Sequence, residues 1–284
     1  MNSVTTGTDS AGSTAERGPV TRAEYCAIAT AEAFRDNGEI IGSAFGTIPA
    51  IGVRLARATF SPDLMISDGE ASMVTGEGAI FRPPTGAVEA YAPFRTIFDL
   101  LWTGRRHVMM VPSQVDRYGN ANISAIGDFA KPTVQLLGVR GAPGNSVSHR
   151  SSYWVPKHSA RIFVDRVDMV CGVGTDKAAA NPSVARHFVP GLVLTNLGTF
   201  DLLGDVGPAG GTTMRVVALH PGVTVEEVRA ATGFELEVPD EVPVTREPTD
   251  EELRLIREVL DPRDLRSREV PEPAPAGSPS GANP

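Results

Sequence analysis

Two carboxylates carry the strongest chemical signal in this sequence, because Asp68 and Glu70 flank Gly69 directly after an apolar run at residues 64–66. That run is short enough to be a buried strand, and ligands bind at the carboxyl ends of strands in open α/β sheets. Two carboxylates in a closed pocket raise one pKa toward neutrality, which suits acid–base catalysis. Asp68 and Glu70 are therefore predicted to be catalytic. The alternative is a polar turn in which Asp68 caps its own backbone amides.

A second group of polar residues follows a predicted strand at 108–111 and consists of Gln114, Asp116, Asn120 and Asn122. Polar side chains at the end of a strand can bind the carbonyl or carboxylate group of a substrate. These four residues are therefore predicted to contact a ligand. Turn formation explains Asn120 equally well, since it follows a glycine.

A glycine-rich segment supplies the third candidate group, Gly141, Gly144 and Asn145, after a predicted strand at 134–137. Glycines let backbone N–H groups approach a ligand, and such donors stabilise negative charge that develops on a thioester or ring oxygen. The segment is therefore predicted to be a binding loop. A plain Gly/Pro turn is the alternative.

The composition and the motif content exclude several classes of protein. A formal net charge of -8 argues against nucleic-acid binding, which needs a basic surface, and Arg105 and Arg106 are expected to be exposed residues at a helix end. The five histidines lack the spacing of metal ligands, so no metal is predicted. Neither a nucleotide-binding glycine motif nor a serine-hydrolase elbow is present, and no cofactor is expected.

The expected compartment follows from the cysteines and the apolar runs. Cys26 and Cys171 are far apart in sequence, which is typical of a reduced protein rather than of a disulfide scaffold. The N-terminus lacks the apolar core of a signal peptide, and no apolar run approaches the length of a membrane span. We expect a cytoplasmic protein without a membrane segment.

Candidate helices alternate with short apolar runs that are mostly continuous, as in strands covered on both faces. This pattern predicts an α/β protein with a mostly parallel sheet between helical layers. A single domain is predicted over residues 21–266, between disordered tails at 1–20 and 267–284. The strands are predicted at 64–66, 108–111, 134–137, 160–164, 169–170, 192–196 and 214–219.

Capping motifs locate several helix ends. Thr21 is predicted to cap the first helix, with Glu24 completing a capping box, and Thr249 and Glu252 repeat this pattern near the C-terminus. Gly233 is predicted to end another helix in the left-handed conformation. These signals describe the scaffold and carry no chemistry of their own.

Three stretches, at residues 114–122, 167–174 and 220–234, give the chain a wider likeness. Together with Asp63 and Leu64 they resemble, in the same order, the β subunit of class I CoA-transferases. The resemblance implies a three-layer α/β/α sandwich, the CoA-transferase fold that is shared with sugar-phosphate isomerases. It also implies an α-subunit partner in an α2β2 assembly, with the active site between the subunits.

In the transferases of that family, a β-subunit glutamate in a Ser-Glu-Asn-Gly-like loop attacks the acyl-CoA and forms a glutamyl-CoA thioester. Aligning the serine with Ser67 places Asp68 at the nucleophile and Glu70 two positions later. Aspartate is one methylene shorter than glutamate, and a displacement of about 1 Å can reduce a rate about a hundredfold. One hypothesis is therefore a CoA-transferase in which Glu70 is the nucleophile.

That departure, with the runs at 141–145 and 152–158, is similar to the β subunits of actinobacterial CoA-transferase-like hydrolases that open the last steroid ring in cholesterol breakdown. This resemblance implies that the substrate is the CoA thioester of an oxo-cyclohexene carboxylic acid and that water cleaves a ring C–C bond. It places the general base, a glutamate, on the α subunit. A third hypothesis is a non-catalytic scaffold that completes the partner's pocket.

Overall fold

The computed structural model describes the chain in five ranges, 18–67, 71–76, 78–83, 86–139 and 141–273. Asp68 and Glu70, the predicted catalytic residues, lie outside them. In the described ranges, no helix combines the length and the apolar character that are needed to cross a membrane.

Strands and helices alternate along the described chain. The strands are β1 Ile41–Ala44, β2 Met65–Ile66, β3 Ala71–Val74, β4 Val88–Ala92, β5 Arg106–Met110, β6 Gln114–Val115, β7 Ala121–Asn122, β8 Ala125–Ile126, β9 Val134–Gln135, β10 Arg150–Val155, β11 Pro190–Thr195, β12 Gly198–Asp201 and β13 Arg215–Leu219. The helices are α1 Arg22–Ala33, α2 Thr47–Thr59, α3 Phe94–Leu101, α4 Ala142–Ser148, α5 Thr175–Ala179, α6 Pro182–Ala185, α7 Val225–Ala230, α8 Asp250–Arg254 and α9 Arg266–Glu269. Helix α8 continues as a π-helical turn over Leu255–Leu260.

Within the described residues, seven strands form one sheet in the order β13-β12-β11-β10-β5-β1-β2. Neighbouring strands from β2 to β11 are parallel, and β12 is antiparallel to both β11 and β13. Strand β1 pairs with β2 on one side and with β5 on the other side. The prediction of a mostly parallel sheet is confirmed, and the strand order reverses at β1.

Two hydrophobic clusters lie on opposite faces of this sheet. Strand β10 contributes to both, because Trp154 belongs to one cluster and Tyr153 and Val155 belong to the other. Helices α1 and α2 and the π-helical turn supply much of the first cluster, whereas α4 adds Ala142 and α7 adds Val228 to the second. Burial on both faces explains why the strands read as continuous apolar runs.

The predicted strands of the main sheet are confirmed as β2, β5, β11 and β13. The run at 134–137 instead supplies β9, which is exposed and pairs with β8 in a separate hairpin. The runs at 160–164 and 169–170 form no strand, although Phe163 pairs with Val115 at an isolated bridge. Short apolar runs are ambiguous because buried loops need the same composition as buried strands.

Both capping boxes are present. The Thr21 hydroxyl accepts a hydrogen bond from Glu24 N at 3.2 Å, and the Glu24 carboxylate accepts one from Thr21 N at 2.9 Å. Thr249 and Glu252 make the same reciprocal pair at the start of α8. Each box satisfies two backbone donors that the first turn of a helix leaves without partners.

The prediction for Gly233 is wrong, because this residue is not among those with a positive φ. Its N–H donates to the Phe163 carbonyl at 2.7 Å, and a Cβ at this position would lie 2.5 Å from the same oxygen. Glycine is required here by the close approach of two backbone segments, and not by a left-handed cap.

The C-terminal end of the described chain packs onto the rest of the protein. Helix α9 begins at Arg266, and Val270 after it is only 2% exposed. The boundary predicted at residue 266 therefore falls within a packed helix, while residues 274–284 of the predicted tail lie outside the described ranges. The assignment of a single domain remains a prediction.

Candidate active site

The segment that carries Asp68 and Glu70 starts at the carboxyl end of β2, beside the reversal of strand order. Ser67 directly follows β2, and its N–H donates to the Gly42 carbonyl of β1 at 3.1 Å. Crevices at such reversals are the usual ligand sites of open α/β sheets. The structure therefore places Ser67, the residue before the predicted catalytic pair, where the sequence analysis expected a site.

A buried arginine lies beside this strand end. Arg106 is the first residue of β5, and its Nε donates to the Ser43 hydroxyl of β1 at 3.1 Å. The Ser43 hydroxyl in turn donates to the Ser67 carbonyl. Arg106 is 5% exposed and Ser43 is fully buried. A chain of hydrogen bonds thus connects a guanidinium group to the start of the predicted catalytic segment.

Helix α4 supplies the other side of this cluster through Asn145. The Arg106 Nη1 donates to Asn145 Oδ1 at 2.9 Å, and the same oxygen lies 3.1 Å from His149 Nε2. An arginine can only donate, which fixes the orientation of the Asn145 amide and makes His149 Nε2 a donor. Burial and the charge of Arg106 lower the pKa of His149 to about 4, so its ring is neutral near pH 7.

The local structure predicted around Gly141, Gly144 and Asn145 is wrong. Gly141 is the N-cap of α4, and Gly144 and Asn145 lie inside this helix rather than in a loop. Pro143 in the first turn suits helix initiation, since its fixed φ matches the helix. The Asn145 N–H is used within the segment, on the Gly141 carbonyl at 2.9 Å. The side chain of Asn145, and not its backbone, reaches the crevice cluster.

The group at 114–122 forms a separate buried network in the β6–β7 hairpin. The Asp116 carboxylate accepts from the backbone N–H groups of Tyr118 and Asn120, each at 3.0 Å. The Asn120 side-chain amide bridges Asp116, at 3.0 Å, and Asp176, at 2.9 Å. Its Oδ1 accepts from Gly174 N at 2.8 Å. This geometry is the turn chemistry that the sequence left open for Asn120.

Gln114 and Asn122 are equally engaged inside the protein. The Gln114 amide donates to Asp168 Oδ2 at 2.9 Å, and its oxygen accepts from Asp168 N at 3.0 Å. The same oxygen accepts from Asn122 Nδ2 at 2.8 Å. Both amides therefore hold the hairpin against the segment around Asp168, and ligand contact by these residues remains a prediction.

An open cavity of about 570 Å³ adjoins this second network. Asp116 and Asn120 line it, together with residues of both charges. Burial raises the pKa of Asp116 to about 6, the Asn120 hydrogen bond opposes this, and the charge of Asp176 adds to it. The remaining lining residues are Arg117, Tyr118, Asp165, Arg166, Val167, Asp168, Val170, Asp176, Lys177 and Pro208.

The structure therefore divides the predicted residues between two places. Asn145 and Ser67 meet in the crevice cluster, whereas Gln114, Asp116, Asn120 and Asn122 form the hairpin network. The sequence analysis missed Ser43 and expected Arg106 to be exposed at a helix end, which is wrong. The alternation of Arg106 with Val108 and Met110, which point to one buried face, was the signal for an inward-facing arginine.

No protein-family model matches this chain. The IpdB subunit of the cholesterol ring-cleaving hydrolase from Rhodococcus jostii (strain RHA1) is 52% identical over 255 residues, which cover 88% of this chain and 96% of that protein. One of the subunits of the 3-oxoadipate CoA-transferase from Pseudomonas knackmussii is 32% identical over 244 residues, covering 78% of this chain and 86% of that protein.

A solved structure supports the same likeness. The crystal structure of Rhodococcus jostii RHA1 IpdAB matches with a TM-score of 0.82 and 52% identity, covering 88% of this chain and 98% of the matched chain. The similarity therefore spans the central sheet and both polar networks rather than a single motif.

Proposed function

This chain belongs to the CoA-transferase family, in the group of IpdB subunits of the cholesterol ring-cleaving hydrolase, and we propose that it is the β subunit of a heteromeric ring-opening hydrolase. The observation that carries the proposal is the 52% identity to the Rhodococcus jostii subunit across 88% of the chain. The resemblance stated from the sequence is confirmed, as is the α/β fold that it implied.

The proposed substrate is an oxo-cyclohexene carboxyl-CoA, the last ring left in steroid breakdown. A water molecule, deprotonated by a base on the α subunit, adds to the ring ketone. The ring C–C bond then breaks, its electron pair remains on carbon as a carbanion, and the thioester helps to stabilise that charge before it takes a proton. The CoA thioester stays intact, so CoA is part of the substrate and we propose that no separate cofactor is needed.

Within this proposal, Asp68 and Glu70 line the shared active site and hold the water or orient the partner's base. The support is the position of Ser67 at the carboxyl end of β2, beside the reversal of strand order. Asn145 lies on the opposite wall of the same crevice through its bond with Arg106. Near-neutral acid–base work needs a carboxylate with an adjusted pKa, which a closed site between subunits provides.

An α subunit of the same family is the proposed partner, in an α2β2 assembly. Helix α3 supports this, because Phe94, Phe98 and Trp102 follow one another at four-residue spacing and are all exposed, Trp102 to 85%. The rings of Phe94 and Phe98 meet edge to face at 5.2 Å. Exposed aromatic groups of this kind are typical of protein interfaces.

We also propose that the protein acts in the cytoplasm. Its two cysteines, Cys26 and Cys171, are free thiols and both are buried. Unpaired thiols are typical of a reducing compartment.

The decisive experiment follows the mass of the substrate in ¹⁸O-water, with this chain co-expressed with its α subunit. The ring hydrolase yields a product that is one labelled water heavier and still carries CoA. An unchanged ring, with CoA passed to an added carboxylate, would refute the hydrolase and favour the transferase, which the 32% identity to a 3-oxoadipate CoA-transferase subunit keeps in view. Borohydride trapping of a thioester on this chain would support that second function.

Amide substitutions separate a catalytic role from that of a scaffold. Asp68→Asn and Glu70→Gln preserve the size of each side chain and remove its charge. If these residues hold the water or the base, kcat falls while the assembly remains intact. A near-normal kcat in both variants would support the scaffold hypothesis instead.

The proposed interface has its own test. Phe98→Glu places a charge in the aromatic stripe of α3 and should abolish co-purification with the α subunit, because a buried unpaired charge is costly. Val244→Glu is the control, since Val244 is an exposed apolar residue beside β13. Unchanged stoichiometry in Phe98→Glu would show that the partner binds elsewhere.

A further inference from the structure

We propose that Arg106 is the positioning residue of the ring-opening site, because its guanidinium joins the two chain segments that form the crevice. Its Nε reaches Ser67 through Ser43, and its Nη1 reaches Asn145 on α4. The inference rests on the proposed function and deepens it. It assigns no contact between Arg106 and the substrate.

The direction of the hydrogen bonds toward Ser67 is determined by valence. The Arg106 Nε–H can only donate, so the Ser43 oxygen accepts at 3.1 Å and its single hydrogen points to the Ser67 carbonyl. Consecutive hydrogen bonds of this kind polarise and strengthen one another in a buried environment. The carbonyl of Ser67 is therefore held immediately before the segment that carries the two predicted catalytic carboxylates.

The second arm of the guanidinium fixes α4. Asn145 Oδ1 accepts from both Arg106 Nη1 at 2.9 Å and His149 Nε2 at 3.1 Å, and Asn145 Nδ2 lies 3.8 Å from Met110 Sδ. The side chain of Asn145 is thereby held from three directions. The lowered pKa of His149 keeps its ring neutral near pH 7, and a neutral ring places no second positive charge beside Arg106.

The backbone of Arg106 is itself held rigidly. Strand β5 lies between β1 and β10, where Arg106 is paired with Ile41 and the next residue, His107, with Arg150. A rigid strand, a planar guanidinium and two fixed acceptors define one relative placement of the β2 end and α4. Lysine cannot reproduce this, because its ammonium group is a point charge on a flexible stem.

The test compares Arg106→Met and Arg106→Lys with the neighbouring variant Arg105→Ala in the assembled enzyme. Arg105 is exposed and forms an ion pair only at the surface, with Glu39 at 3.1 Å, so its loss should leave kcat unchanged. Arg106→Met should lower kcat about a hundredfold with little change in KM, as expected for a misplacement of about 1 Å. Arg106→Lys should recover only a small part of that loss.

Chemical rescue distinguishes positioning from general structural damage. Methylguanidinium added to Arg106→Met should restore part of kcat, because the small cation can occupy the site left by the guanidinium, and it should not affect Arg105→Ala. A wild-type kcat in Arg106→Met would overturn the proposal. So would a loss of kcat that methylguanidinium fails to restore and that Ser43→Ala does not share.

Ser43→Ala keeps the proposal testable if Arg106→Met does not fold. This variant leaves the charge in place and removes only the bond to the Ser67 carbonyl, and we expect kcat to fall about fivefold, the usual worth of one hydrogen bond. Hydrogen exchange should increase in the peptide that spans residues 62–74 and remain unchanged at α7. Wild-type exchange together with wild-type kcat would refute the role of the Ser43 bond.

Failure of the proposed function has a different signature. If the wild-type assembly transfers CoA and leaves the ring intact, the hydrolase proposal fails. The Arg106 and Ser43 variants can then be compared in the transferase assay, where equal rates in all variants would refute the positioning role. The two proposals therefore fail on separate measurements.

Discussion

The Glu269 carboxylate of α9 accepts a hydrogen bond of 2.6 Å from the backbone N–H of Ile48, so a residue 221 positions away caps helix α2. Gly46 at the N-cap of α2 has no side chain that could do this. A Cβ at Gly46, where φ is +108°, would lie 3.0 Å from Glu269 Oε1. The absence of a side chain at Gly46 therefore makes room for the distant cap.

Removal of this carboxylate should loosen the end of α2. Glu269 also accepts from Trp154 Nε1 at 3.1 Å, so Glu269→Ala leaves two donors without a partner and should cost about 2 kcal/mol of unfolding free energy. Chemical denaturation, followed by tryptophan fluorescence, measures the change. Arg268→Ala is the control at an exposed neighbour, and equal stability of the two variants would contradict the capping role.

The buried Glu24 should be the most sensitive ionic position. Burial alone would raise its pKa, but hydrogen bonds from Arg257 and Thr21 and the nearby charge of Arg266 lower it overall. Glu24→Gln should cost about 3 kcal/mol, because partly buried arginines lose their counter-charge.

The pH dependence of this contribution has a definite sign. Since the folded-state pKa of Glu24 is below the usual 4.5, its stabilisation is present above that pH and is lost as the pH falls through the folded-state value. Urea titrations of the wild type and Glu24→Gln at several acidic pH values should therefore converge. Glu251→Gln is the control, since Glu251 pairs with Arg254 at the surface, and this variant should match the wild type throughout.

Asp116 should produce the opposite pH dependence. Its folded-state pKa of about 6 lies above the usual 3.8, so its contribution to stability is fully present below about pH 4 and is lost as the pH rises through about 6. Over that interval, the unfolding free energy of the wild type should fall by about 3 kcal/mol relative to Asp116→Asn. Asp165→Asn, in the same cavity but exposed, should retain the wild-type profile. A constant difference between Asp116→Asn and the wild type would refute the raised pKa.

Gly233→Ala should destabilise the protein although glycine usually costs stability through its flexibility. The added Cβ would lie 2.5 Å from the Phe163 carbonyl oxygen, and two backbone segments would have to separate. We expect a loss of about 2 kcal/mol, the range for overpacked sites. Gly18→Ala is the matched control, because nothing lies within 4 Å of its Cβ position. A thermal-denaturation midpoint equal to that of the control would show that the contact yields.

Local signals were recovered well from the sequence because they act over a few residues. The Thr21 and Thr249 capping boxes depend on a spacing of three residues and both are present. The Asp116–Asn120 turn spans four positions and was one of the alternatives considered. Continuous apolar runs indicated a sheet covered on both faces, and the family motifs indicated the fold.

Contacts between distant segments were not accessible in the same way. Arg106 meets Ser43 across 63 positions and Asn145 across 39, and Glu269 meets Ile48 across 221. A residue's own neighbours in sequence do not show which buried face its side chain will share with another strand or helix.

The sequence by itself determined the class of fold, the helix starts and the family, since these depend on periodicity, short-range hydrogen bonds and ordered motifs. Only the tertiary structure decided that Asn145 joins the Ser67 strand end while Gln114 and Asp116 form a separate network. The reason is strand register: the pairing of Ile41 with Arg106 aligns β1 with β5, and that alignment brings the Arg106 guanidinium within reach of Ser43.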